Sequence, residues 1–147
     1  VKLTGAGWLT SPLYVHAQGT AAEGILGILN YVPGIDSPEN HAFQAAYQAE
    51  YGRVASEFAV QGYDTARLIV EALKITGGDA SDRGALVDAM HAVSFVGPRG
   101  LLRIDPLTNN IIQDIHVFET MAGAEGTELH VVDTLPAMQD ARNGCTL

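Results

Sequence analysis

Five histidines, one cysteine and a few polar clusters are the side chains in this 147-residue chain whose types could support chemistry. His16, His41, His91, His116 and His130 stand far apart. None has another His or Cys at the three- or four-residue spacing that sets two metal ligands on one helix face. The pattern predicts ordinary surface or helix histidines and no metal site. Cys145 has no second thiol in the chain, which excludes an internal disulfide and a thiolate cluster. It reads as a free thiol, or as one half of a bridge to a cysteine elsewhere in a longer parent. Asp105 to Asn110 (DPLTNN) offers oxygen ligands but lacks the central glycine and carboxylate spacing of a calcium loop, so a polar turn is expected. Gly5-Ala6-Gly7 opens like a dinucleotide fingerprint, yet Thr10 stands where the third glycine belongs, and a tight turn is the better reading. No nucleophile elbow or Ser-x-x-Lys is present. These residues predict neither catalysis nor a cofactor.

The charge balance narrows the partners. Seventeen acidic and eight basic side chains give a net charge of −9 with no Lys/Arg cluster. Non-specific nucleic-acid binding and adhesion to anionic membranes both rely on such clusters and are disfavoured. No apolar run reaches the roughly 20 residues that span a bilayer. Hydrophobic residues make up 47% of the chain, enough for a packed core. Val1, in place of an initiator Met, predicts that a natural N-terminus has been removed.

The elements that must position any site follow from the patterning. Residues 1–7 read as the end of a strand entering a glycine-rich turn, and Thr10-Ser11-Pro12 opens a loop or short helix toward Gly19. The apolar run 24–32 predicts a buried strand stopped by Pro33-Gly34. Ser37-Pro38 is a helix start, a capping hydroxyl followed by Pro. The helix over 38–51 would carry Ala42, Phe43, Ala46, Tyr47 and Tyr51 on one side and end at Gly52. A second helix over 59–76 has Tyr63, Ala66, Ile69, Val70 and Leu73 at three-and-four spacing before Gly77-Gly78. A third, over 81–92, would bury Leu86, Val87 and Met90. Gly97-Pro98-Arg99-Gly100 is a turn, and strands are expected at 101–104, 111–119 and 128–134. Strands around a helix-rich middle indicate an α/β protein, but the order does not by itself close a familiar fold.

Six segments in sequence carry a resemblance. They are Ala21-Ala22-Glu23-Gly24, Asp36 to Phe43 with Tyr47 and Tyr51-Gly52, and Phe58 to Asp64 (FAVQGYD). Gly77-Gly78, Asp82 to Leu86 and Phe95 to Gly100 (FVGPRG) follow. Their order and spacing resemble the C-terminal part of the periplasmic solute-binding proteins of ABC transporters, in the branched-chain amino-acid (leucine/isoleucine/valine-binding) family. The resemblance covers nearly the whole chain. It implies a type I periplasmic-binding-protein-like α/β fold, a fragment of a two-lobed Rossmann-like architecture in which the chain crosses between lobes three times. Residues 1–33 would finish the C-terminal lobe, 34–112 would return to the N-terminal lobe, and 113–147 would cross back. Such a fragment would expose apolar faces and favour self-association. The implied function is non-enzymatic: capture of a small solute between two lobes, in the periplasm or outside the cell, for delivery to a membrane permease. The alternative is a ligand-sensing domain of the same fold in a receptor or amide-type regulator.

The resemblance also locates a site. In amino-acid-binding members a Glu in the turn before the Ala-Glu-Gly strand pairs with the ligand's ammonium group. Here that position is Gly7, followed by Trp8. A glycine cannot neutralise a buried ammonium, whose unpaired burial costs several kcal/mol. The turn suits a carboxylate or an aromatic acid better, through backbone N–H groups and an indole. Trp8 is either a ligand contact or a packing residue at a lobe edge. Phe58 falls where family members place an aromatic on the apolar part of the ligand, the alternative being core packing, and helix-core packing is expected for Tyr63. Glu23 would share the turn's face only if its strand is regular, and is otherwise a structural carboxylate. Ligand-binding candidates are therefore Gly7, Trp8, Glu23 and Phe58, for an amino acid or an aromatic acid.

Overall fold

A computed structural model describes residues 2–124, 126–141 and 144. Val1 and Cys145 lie outside the described residues. A short strand β1 (Thr4–Ala6) leads into a 3-10 turn (Gly7–Thr10), then helix α1 (Val15–Gln18), a second 3-10 turn (Gly19–Ala22) and strand β2 (Leu26–Leu29). Three helices follow: α2 (Pro38–Tyr51), α3 (Glu57–Ile75) and α4 (Arg83–Ala92). The chain ends in strands β3 (Ser94–Gly97), β4 (Gly100–Ile104), β5 (Ile111–Gly123) and β6 (Gly126–Met138).

The helix boundaries follow their caps. The Ser37 hydroxyl accepts from the Asn40 amide at 3.2 Å ahead of Pro38, and Gly52 closes α2 with φ +67°. Asp82, not Ser81, caps α4 by accepting from the Ala85 amide. The strand expected over 24–32 is shorter, because Gly24 takes φ +79° and regular pairing is confined to Leu26–Leu29. β3 was not foreseen; it pairs with β4 around the Gly97–Gly100 turn. β5 and β6 form a ribbon of 13 residues each, longer than the expected 111–119 and 128–134.

β1 lies parallel to β2, and all other pairings are antiparallel. β5 is the strand that joins everything. Its start, Ile111 and Ile112, pairs with β4, and its middle, His116 to Glu119, pairs with β2. Its other side runs along β6, with register shifts between Gln113 and Ile115 and between Val117 and Phe118.

Two hydrophobic clusters result. One gathers Val15, Ala22, Leu29, Tyr31, Phe43, Val60, Phe118 and others around the β1–β2–β5 side. The other gathers Ala72, Ala89, Val93, Phe95 and Leu102, with Leu68 and Ile111 packed against it. α3 and β5 each contribute to both. The face α3 buries differs from expectation: Glu57, Val60, Asp64 and Ala72 point inward, while Tyr63, Ile69 and Val70 are exposed, Val70 by 51%. The stripe that reads as core is therefore an uncovered apolar surface, with only Tyr63 touching a core ring, Phe43, at a centroid distance of 5.0 Å. On α4 the buried residue is Ala89 and Val87 is exposed. On α2 Phe43 and Asn40 are buried and Tyr51 is exposed.

Candidate functional site

Ligands of open α/β sheets bind beyond the carboxyl ends of the parallel strands. The turn after β1 holds Gly7 and Trp8 at that end, because the register sets Ala6 level with Ile28. Gly7 is buried. A Cβ there would stand 2.6 Å from the Leu29 Cβ, 2.8 Å from the Ile28 carbonyl oxygen and 3.1 Å from the Phe118 ring. The same ring covers Gly27 on β2, where a Cβ would collide with it. Two glycines thus form the slot that receives the fully buried Phe118. Position 7 leaves no room for a Cβ, so glycine there is a packing requirement as well as the absence of an acid.

Trp8 is 51% exposed. Phe58, the second residue of α3, is 56% exposed, which removes it from the core. The ring contacts among the described residues join Tyr31, Phe43, Tyr47, Tyr51 and Tyr63, and include neither Trp8 nor Phe58. Glu23 is exposed, and it precedes the amino end of β2 while Gly7 and Trp8 follow the carboxyl end of β1. With about 3.3 Å per strand residue, it lies on the order of 15 Å from the turn along the strand direction. Its strand is not regular, since Gly24 breaks it, and the shared face does not form.

A groove of about 750 Å³ opens a few residues from both aromatics in sequence. Pro12, Val15, Pro33, Val54 and Leu129 form its apolar wall, and His16, Glu128 and His130 supply polar groups. The His130 ring is 3.1 Å from the Glu128 carboxylate. Its size and mixture of walls are those of small-molecule sites. Neither Trp8 nor Phe58 is among its walls. No group of three or more His, Cys, Asp or Glu that could hold a metal occurs among the described residues. The Asp105 carboxylate accepts from the Leu107 amide of its own turn at 2.9 Å and from Gln139, just past β6, at 2.7 Å, so the DPLTNN segment is a polar turn tied to the end of the ribbon.

Sequence reasoning missed a buried polar group where α3, the β3–β4 turn and β5 meet. Arg99, in the β3–β4 turn, donates from Nε to Asp64 Oδ2 at 2.7 Å, with side chains only 7% and 2% exposed. Burial raises the Asp64 carboxyl above the ordinary carboxylate range, opposed by the hydrogen bond and charge of Arg99 and the charge of Arg67. Arg99 Nη1 also donates to Gln113 Oε1 at 2.6 Å. Asn30 Nδ2 donates to the same oxygen at 3.1 Å. The signal was a lone Asp on the helix face opposite the apolar stripe and an Arg inside a Gly-Pro-x-Gly turn. A second group surrounds Tyr31, whose hydroxyl donates to Asn40 Oδ1 at 2.9 Å and accepts from Gln44, and burial raises its ionisation far above the phenol range. Glu57 is fully buried, and neither carboxylate oxygen has a hydrogen-bond partner among the described residues.

Comparison with known proteins converges on one group. A family model described as "Periplasmic binding protein" matches residues 1–125. Leu/Ile/Val-binding protein homolog 6 of Brucella abortus is 33% identical over 129 residues, covering 86% of this chain and 33% of the relative. The chain thus spans about a third of the length of the curated relatives it matches. A solute binding protein of an ABC transporter from Rhodopseudomonas palustris BisB5, solved with 3,4-dihydroxybenzoic acid, superposes with a TM-score of 0.89 at 33% identity, covering 95% of this chain and 38% of that one. A second from R. palustris, solved with benzoate, gives 0.87 at 34%, covering 100% and 39%. The leucine-, isoleucine-, valine-, threonine- and alanine-binding protein of Brucella ovis in its closed conformation gives 0.84 at 16%, covering 99% and 40%, a likeness of fold. The α/β architecture is that of these binding proteins, and the chain belongs to the periplasmic binding protein family.

Proposed function

We propose that this chain is part of the solute-binding component of an ABC transporter, which captures a small carboxylate without an α-amino group, an aromatic acid foremost, between two lobes. The carrying observation is the Gly7 turn. Its missing side-chain space leaves no acid to meet an ammonium, while Trp8 beside it offers a half-exposed indole. The benzoate- and dihydroxybenzoate-bound relatives, at 33–34% identity, support the same class. The groove between Pro12–His16 and Val54 supplies apolar walls nearby.

The lobes divide the chain at 1–33, 34–112 and 113–147. This division is supported by the turn at Pro33-Gly34 after β2 and by the point where β5 leaves β4. The exposed stripe of Tyr63, Ile69 and Val70 is then the face covered by the rest of the N-terminal lobe. Closure on the ligand is a population shift driven by contacts made only in the closed form. Membership of the family supports delivery to a membrane permease from the periplasm.

Calorimetry on the full two-lobed protein tests the reading. Benzoate or 4-hydroxybenzoate binds and leucine does not. Trp8→Ala weakens the acid about tenfold, the loss of stacking and buried area together. Micromolar leucine binding with no response to aromatic acids refutes it.

A further inference from the structure

Two chain paths, α3 and β5, join the two hydrophobic clusters, and each carries one member of the Asp64–Arg99–Gln113–Asn30 group, while Asn30 lies between Leu29 and Tyr31 of the first cluster. On α3, Val60 packs in the first cluster and Leu68 and Ala72 in the second, with Asp64 between them. On β5, Ile111 packs with the second cluster and Phe118 in the first, with Gln113 between them. Gln113 also stands where β5 has finished with β4 and not yet met β2, at the first slip of its ladder with β6. Asn30 follows the last paired residue of β2, where the chain leaves toward the helices. Arg99 has no path of its own but touches both of them, through a buried ion pair with Asp64 and a bond to Gln113.

The chemistry of this group suits a joint. Apolar contacts tolerate a range of packing angles, whereas hydrogen bonds lose strength steeply with misalignment. A guanidinium is a planar fork whose two donors here point at two different elements, so it fixes their mutual orientation. The Gln113 carbonyl oxygen receives both Arg99 and Asn30, and so couples the strand leaving β2 to the α3–Arg99 pair. The turn is shaped for this: a Cβ at Gly97 would stand 2.7 Å from Asp64 Oδ1, and one at Gly100 2.9 Å from Asp114 Oδ2. Buried ion pairs add little net stability over apolar replacements, which leaves specifying one arrangement as the use to which this one fits.

Resting on the two-lobe reading above, we propose that Arg99 and Gln113 are positioning residues for lobe closure: the shared Gln113 acceptor sets the angle at which the lobes rest without ligand. Removing it frees α3 and β5 from one another at the crossing and shifts the ratio of open to closed forms, about fivefold for one lost hydrogen bond.

The test uses the full two-lobed protein with Cys145→Ser and spin labels at Thr20→Cys and Ser81→Cys, both exposed, one in each lobe. Pulsed electron resonance measures their separation without ligand. Gln113→Leu, which keeps the volume and removes the acceptor, broadens or shifts the distribution beyond its wild-type width. Gln113→Glu, which retains acceptor oxygens, restores it. Should Gln113→Leu fail to fold, Asn30→Ala removes one donor and gives a smaller change of the same kind. Distributions that superpose on wild type while the melting temperature falls would overturn the proposal, since a purely structural role predicts that pattern. The distances are read without ligand, so a protein that binds no aromatic acid refutes the proposed ligand class and leaves this measurement decisive for the joint.

Discussion

Gly7→Ala adds one methyl group at the most crowded point of the turn. The new carbon would stand 2.6 Å from Leu29 Cβ and 2.8 Å from the Ile28 carbonyl oxygen, both on a paired strand that cannot recede without dragging Phe118 out of its slot. Overpacking of this kind costs about 1–3 kcal/mol. Unfolding entropy of about 2.1 cal/mol/K per residue over 147 residues gives about 0.3 kcal/mol per degree, so the melting temperature falls by about 3–10 °C. Gly62→Ala is the control. It lies inside α3 with nothing within 4 Å of the added carbon, so it gains about 0.5–1 kcal/mol and melts a few degrees higher. Thermal unfolding followed by circular dichroism on both variants separates the two. A Gly7→Ala chain that melts within a degree of wild type refutes the argument that packing fixes glycine in the turn, and with it the claim that no acid can stand there.

Arg99→Ala leaves Asp64 buried beside no guanidinium, and urea titration should show a loss of about 3–5 kcal/mol. Glu57→Leu removes two buried oxygens that have no partner among the described residues, so it raises the urea midpoint; a lowered midpoint means that the carboxylate has a stabilising role. Burial holds the His116 imidazole below its ordinary range, against the opposing charge of Asp114. The unfolded chain therefore binds the proton first: stability begins to fall as pH drops through about 6.5 and the loss is complete below the folded value, a slope that His116→Gln abolishes in melting curves from pH 7.5 to 5. Ile69→Lys with Val70→Lys breaks the uncovered stripe on α3, and sedimentation at increasing concentration shows less self-association than wild type.

Local signals made the helices legible. Ser37-Pro38, Gly52, Asp82 and Gly77-Gly78 are caps and stops whose effect lies within one turn, and α2, α3 and α4 begin and end within about two residues of the expected positions. Which face of a helix turns inward is set elsewhere. Tyr63, Ile69 and Val70 have the spacing of a core stripe, yet all three stay exposed among the described residues, while Asp64 is buried because Arg99, 35 residues away, is there to receive it. The same distance hid the polar group: Asn30 and Gln113 are 83 residues apart and meet only through β2–β5 pairing. At the candidate site the chemistry of Gly7 was legible as a missing acid, but its steric cause lies on β2 and β5. Glu23 falls outside β2, because a positive φ at Gly24 delays the start of the strand to Leu26, which local sequence did not reveal.

The β5–β6 ribbon leaves one long rim. β6 runs 13 residues and pairs only with β5 among the described residues, so its far side is a free row of backbone donors and acceptors. Such a rim is a template on which a foreign strand can add. Pro136 deletes one donor from the row, and the Ala137 amide, with φ +50°, is turned instead to Asp114 Oδ1 at 2.8 Å. The two register slips bend what remains. An invading strand therefore finds a short run near Gly126 to Val132 and no continuous partner beyond it, so the ribbon can be long without making the sheet open-ended.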